Sequence, residues 1–124
     1  MKLLTFKIMG NFKTKKIFLI FCFLFILLNT NAQKIFSVKY ESQAELKVYV
    51  VQYDSQADLK VYKVKYESQV GKNDGKWFFV DYESKAKKKI YFVNYESQAD
   101  LKIYFVEYES QAGWKNNSKK ALLY

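Results

Sequence analysis

A chain of 124 residues carries 21 basic and 12 acidic side chains, no histidine, no proline and one cysteine. This length holds one small domain, and the lack of histidine excludes Ser-His-Asp and Cys-His catalytic arrangements. Every basic residue is a lysine, so the bidentate arginine contacts that read phosphate and guanine are excluded, and no nucleic-acid partner is expected.

The chain opens on a basic stretch, with Lys2, Lys7, Lys13, Lys15 and Lys16 and no acid. "IFLIFCFLFILL" follows over residues 17–28, and then "NTNAQ" with the small residues Thr30 and Ala32. A basic start, a short apolar run and small residues at a cut site predict a secretory signal peptide over 1–32. Cleavage is expected near Ala32–Gln33, giving a secreted or periplasmic product. The apolar run is too short to span a bilayer, which takes about 20 residues, so membrane contact is expected only through an uncleaved signal segment. Cys22 lacks the small preceding residue of a lipoprotein cysteine, so no lipid anchor is expected. Beyond residue 32 the chain keeps 16 lysines against 12 acids, a net charge of +4.

Residues 33–124 are written in repeats. Tyr40, Tyr53, Tyr66, Tyr82, Tyr95 and Tyr108 are spaced 13, 13, 16, 13 and 13 apart. Each closes a five-residue phrase: "FSVKY", "YVVQY", "YKVKY", "FFVDY", "YFVNY" and "YFVEY". An aromatic, a valine and a tyrosine at i, i+2 and i+4 share one face of a strand, and six such copies predict β-strands over 36–40, 49–53, 62–66, 78–82, 91–95 and 104–108. That aromatic-x-Val-x-Tyr face is expected to form a layered core. The opposite face starts apolar in every copy (Ile35, Val48, Val61, Trp77, Ile90, Ile103) and ends polar (Lys39, Gln52, Lys65, Asp81, Asn94, Glu107). Each strand is therefore expected to be buried on both sides at its start and wet on one side at its end.

Between strands stands a phrase built on Ser42, Ser55, Ser68, Ser84, Ser97 and Ser110, mostly followed by Gln-Ala-Asp or Gln-Ala-Glu and then Leu-Lys. A serine hydroxyl accepts a backbone N–H two or three residues on in many turns, so these six read as structural turn residues. Ser42 with Glu45, Ser55 with Asp58 and Ser97 with Asp100 have capping-box spacing, which allows a single helical turn in the connection. Roughly six residues are too few for a crossover helix, so successive strands fold back as hairpins or advance as tight coils. Glu41, Asp54, Glu67, Glu83, Glu96 and Glu109 repeat as solvated turn positions.

The longer 66–82 interval contains "GKNDGKW", residues 71–77, whose glycines and Asn-Asp-Gly predict a protruding turn. At Lys85-Ala86-Lys87-Lys88-Lys89, lysines stand where other repeats carry Gln, Asp and Leu. The apolar ending Ala121–Tyr124 is expected to dock on the domain.

Phe79, Phe92 and Phe105 form an aromatic column confined to the second half of the repeats. Two readings stand for it: core, as large apolar residues usually are, or an interaction patch left bare. Lys72, Asn73, Asp74 and Trp77 of the longer loop join these phenylalanines as the candidate interaction patch. Zinc would need the histidine or cysteine that 33–124 lacks, Asn73 and Asp74 supply too few ligands for calcium, and "GKNDGK" lacks the spacing of a phosphate loop. No metal, cofactor or catalytic residue is expected.

The phrase Tyr-Glu-Ser-Gln-Ala-Asp-Leu-Lys, the runs "KVYKVKYESQ" and "KIYFVEYESQ", and the ending "SQAGWKNNSKKALLY" resemble the septoil-knot (Septknot) domain family over residues 34 to 124. The resemblance implies a compact β-rich domain whose backbone forms a seven-crossing torus knot, and it implies no biochemical activity. The expectation is thus a mostly β fold of six 13-residue strand–turn repeats in one knotted domain. Its expected function is that of an exported structural or interaction module for a protein or glycan, bound through edge strands, the 71–77 loop or the phenylalanine column. The alternatives are a small hydrolase using a Ser-Lys or carboxylate site, and a secreted effector or toxin.

Overall fold

A computed structural model describes residues 33–124. The signal-peptide reading of residues 1–32 lies outside the described residues. Seven strands follow one another: β1 (Lys34–Ser37), β2 (Leu46–Val50), β3 (Leu59–Lys63), β4 (Lys76–Phe79), β5 (Lys88–Phe92), β6 (Leu101–Phe105) and β7 (Gly113–Trp114). The connections carry three-residue 3-10 turns at Glu41–Gln43, Asp54–Gln56, Glu67–Gln69, Glu83–Lys85, Glu96–Gln98 and Glu109–Gln111, and a seven-residue 3-10 segment, Asn117–Leu123, ends the fold.

Six parallel strands close into a barrel in the order β4-β1-β5-β2-β6-β3, with β3 pairing back to β4. Consecutive strands are not neighbours. β1, β2 and β3 take every second place in a first circuit, and β5 and β6 then fill the gaps between them. β4, reached through the longer connection, lies beside β3 and starts the second circuit. β7 runs antiparallel along Leu59 and Lys60, the part of β3 that precedes its ladder with β4. The connections are therefore tight coils and not hairpins, and β1 to β6 have no free edge.

The register explains how such short returns suffice. Around the ring each strand is displaced two residues along its neighbour: Ile35 faces Lys88, Ile90 faces Leu46, Val48 faces Leu101, and Ile103 faces Leu59. A stagger repeated at every ladder tilts the strands strongly to the barrel axis. Four- and five-residue strands then climb little, and residues 38–45 or 51–58 are enough to come back down.

Side chains alternate across a strand, and here they stack in three interior layers. The middle layer holds Ile35, Val48, Val61, Trp77, Ile90 and Ile103, all fully buried. Below it lie Leu46, Leu59, Leu101, Gln33, Gly75 and Lys88, and Leu123 is buried against this cluster. Gln33 Nε2 donates to the Leu123 carbonyl at 3.2 Å, and Lys88 Nζ to the Tyr124 carbonyl at 3.2 Å. Of the apolar ending Ala121–Tyr124 only Leu123 is buried, while Ala121, Leu122 and Tyr124 are exposed, so the end docks through one side chain and not as a whole. Each fully buried aliphatic side chain contributes about 1.5–3 kcal/mol relative to exposure, so these two layers carry the fold without a disulfide.

The expected layered core is corrected. It is the opposite face, starting at Ile35 and its equivalents, that fills the barrel. On the outer face the valines Val38, Val51, Val64 and Val93 are buried, the preceding aromatics are half-buried, and the six repeat tyrosines are 60% to 67% exposed. Each tyrosine lies beyond its strand, at the entrance to a 3-10 turn. Regular strand structure also begins two or three residues earlier than the aromatic phrases suggest, at the Leu-Lys pair in β2, β3 and β6.

Candidate functional site: the barrel mouth

The third interior layer is open. In ring order it consists of Phe79, Ser37, Phe92, Val50, Phe105 and Lys63, which line a concavity of about 390 Å³. The order follows from the winding. First-circuit strands carry Ser37, Val50 and Lys63, second-circuit strands carry the three phenylalanines, and interleaving puts a phenyl ring at every second place. The aromatic column of the sequence is thus three rings separated by smaller or polar side chains. All three phenylalanines are half-buried, resting on the middle layer with part of each ring reaching solvent. Phe79 stands edge-on to Trp77, with centroids 6.0 Å apart and planes at 65°.

The mouth has a polar half and an apolar half. Lys63 and Ser37 flank Phe79, whereas Val50 lies opposite between Phe92 and Phe105. Lys63 Nζ is 4.8 Å from the centroid of Phe105 and 5.6 Å from that of Phe79, its two neighbours around the ring. Attraction to the ring quadrupoles holds the ammonium there without neutralising it. Among the described residues Lys63 forms no ion pair, and no carboxylate lines the mouth. Ser37 and Lys63 are on strands separated by β4, and among the described residues no hydrogen bond joins them.

The other half of the expected patch is elsewhere. Trp77 is fully buried inside the barrel, and its Nε1 has no hydrogen-bond partner among the described residues. Asn73 is also buried: its Nδ2 donates to the Lys120 carbonyl at 2.9 Å, and its Oδ1 and backbone oxygen accept from Trp114 Nε1. Asp74 accepts from the Lys76 N–H and pairs with the Lys76 ammonium at 3.6 Å. Only Gly71 and Lys72 of this loop are exposed. Gly75 anchors it, with φ +94° and a position where a Cβ would lie 2.5 Å from the Lys60 carbonyl oxygen. The loop is docked, not protruding, so Asn73 and Trp77 offer a partner no surface.

The six serines occupy the exposed centres of the 3-10 turns. Among the described residues their hydroxyls make no hydrogen bond. The side-chain acceptor is the next residue instead: Gln56, Gln69 and Gln111 take the N–H of Tyr53, Tyr66 and Tyr108 at 3.3, 2.8 and 3.1 Å. The capping-box acids act at longer range. Glu45, Asp58 and Asp100 each give their own N–H to a lysine carbonyl on the adjacent strand and take that lysine's N–H on their carboxylate. The lysine-rich turn Glu83–Lys85 keeps the same 3-10 form, with the Lys87 N–H bonded to the Lys34 carbonyl at 2.7 Å. Glu41, Glu67, Glu83, Glu96 and Glu109 all pair with lysines near the starts of strands. Such surface pairs contribute up to about 1 kcal/mol each.

Compared with known families, residues 32–115 match the 7(1) septoil knot domain. The chain belongs to that family. The two interleaved circuits seen here are the winding a septoil knot requires, two lengths of chain coiled about each other around one barrel. The uniform 13-residue period keeps the stagger uniform at each ladder, and the 16-residue interval falls where the septoil-knot chain passes from its first circuit to its second. No curated protein and no solved structure matches the chain.

Proposed function

We propose that this septoil-knot domain is an exported interaction module that binds its ligand in the barrel mouth and performs no chemistry on it. The observation that carries the reading is the asymmetry of the barrel interior. Leu123 is buried against the closed end, while three phenylalanine rings at the other end remain partly exposed around a concavity. A concave, mostly apolar site with a few polar groups is the usual form of a small-ligand pocket. Export is supported by the basic, apolar and small-residue order of the first 32 residues. The Ser-Lys alternative rests on the turn serines and their lysines, and among the described residues no hydrogen bond joins a repeat serine hydroxyl to a lysine.

The test is a fragment library screened by NMR against the protein purified from a secreting host. Hits are expected to shift the amides of Phe79, Phe92 and Phe105, and to be lost in Phe92→Ala while the spectrum stays folded. Hits that cluster instead on the 3-10 turns would contradict this reading.

A further inference from the structure

Resting on the mouth as the binding site, we infer that its ligand is a small amphipathic anion, a flat apolar body carrying one carboxylate, with Lys63 as the recognising cation. Three features of the mouth lead there. Its volume of about 390 Å³ falls in the range of small-molecule sites and toward its lower end. Its walls are phenyl rings at every second place, which present flat apolar faces suited to an aromatic or branched body. The one charge in its lining is the Lys63 ammonium, held over Phe105 and Phe79 and forming no ion pair among the described residues.

Charge complementarity selects the sign. A cationic ligand would meet an ammonium with no carboxylate in the lining to offset it, and a neutral ligand would leave that ammonium beside a filled cavity with part of its water removed. A carboxylate supplies the missing counter-charge and accepts charge-assisted hydrogen bonds from the lysine donors. The geometry also orients the ligand. Lys63 and Ser37 flank Phe79 on one side of the ring, and Phe92, Val50 and Phe105 form the other. The carboxylate therefore lies toward Lys63 and Ser37, and the apolar body toward Val50.

The experiment compares three probes of one shape, 1-naphthoate, 1-naphthalenemethanol and 1-naphthylmethylamine, titrated into the purified protein with NMR detection. The expected order is naphthoate at least tenfold tighter than the alcohol, with the amine weakest, and mouth amides shifting in each case. Lys63 is exposed, so Lys63→Met is expected to fold normally and to bring naphthoate to the level of the alcohol. Lys63→Glu is expected to favour the amine. Equal affinity of acid and alcohol in the unaltered protein, or a preference that survives Lys63→Met, would overturn the assignment of ligand class while leaving the mouth as the site. Binding of all three probes outside the mouth, or of none, would overturn both.

Discussion

Asp58 and Lys102 hold each other in both directions: the Asp58 N–H donates to the Lys102 carbonyl at 2.8 Å, and the Lys102 N–H donates to Asp58 Oδ2 at 2.9 Å. Asp58 is almost fully buried, and its backbone oxygen also accepts from the N–H groups of Lys115 and Asn116. Through its backbone and its carboxylate, Asp58 thus joins the start of β3 to β6 and to the C-terminal segment. Asp58→Ala leaves a backbone N–H without its acceptor, which costs about 1–3 kcal/mol. Chemical denaturation is expected to show a loss of that size, larger than for Glu45→Ala, whose side chain is exposed.

The repeat serines give the opposite expectation. Ser42→Ala, Ser55→Ala and their four equivalents remove exposed hydroxyls without partners among the described residues, so each is expected to change stability by less than about 0.5 kcal/mol. Gln69→Ala is expected to cost more than Ser68→Ala, because Gln69 Oε1 accepts from Lys65 and Tyr66 together. Thermal melts of this pair check the ranking.

Gly75 and Gly71 belong to one loop and have different demands. A Cβ on Gly75 meets the Lys60 oxygen at 2.5 Å in a left-handed conformation, whereas a Cβ on Gly71 meets nothing within 4 Å. Gly75→Ala is expected to destabilise by about 2 kcal/mol or more. Gly71→Ala is expected to lie within about 0.5 kcal/mol of the unaltered protein.

Glu67 reports the fold through pH. The Lys34 hydrogen bond at 2.9 Å, reinforced by the Lys34 charge, holds its carboxyl below the ordinary glutamate value. A depressed folded value gives stability that is present above the unfolded pKa and lost as pH falls through the folded one. The site is exposed, so the effect on stability is small. A side-chain NMR titration is expected to show the Glu67 midpoint rising toward the ordinary value in Lys34→Met.

Much of this architecture is legible in the residues. The 13-residue period, the strand-and-turn unit and the buried row from Ile35 to Ile103 all follow from pattern; of the apolar ending only Leu123 is buried. The sidedness of the aromatic face does not. Period-two alternation separates two faces without saying which turns inward, and Phe36, Val38 and Tyr40 lie on the outer one. Nor does a linear repeat reveal that β1 pairs with β4 and β5, because ring order depends on how far each coil advances. The mouth was hidden for that reason. Phe79, Phe92 and Phe105 read as a column along the chain, and only the second circuit intercalates them with Ser37, Val50 and Lys63.

The most direct measurement fills the mouth. Val50→Phe puts a fourth ring between Phe92 and Phe105 at a site open to solvent, where added bulk meets no packed interior. If the mouth is the binding site, the variant melts at or above the temperature of the unaltered protein and binds 1-naphthoate at least tenfold more weakly. A folded Val50→Phe protein that binds the probe with unaltered affinity would contradict it.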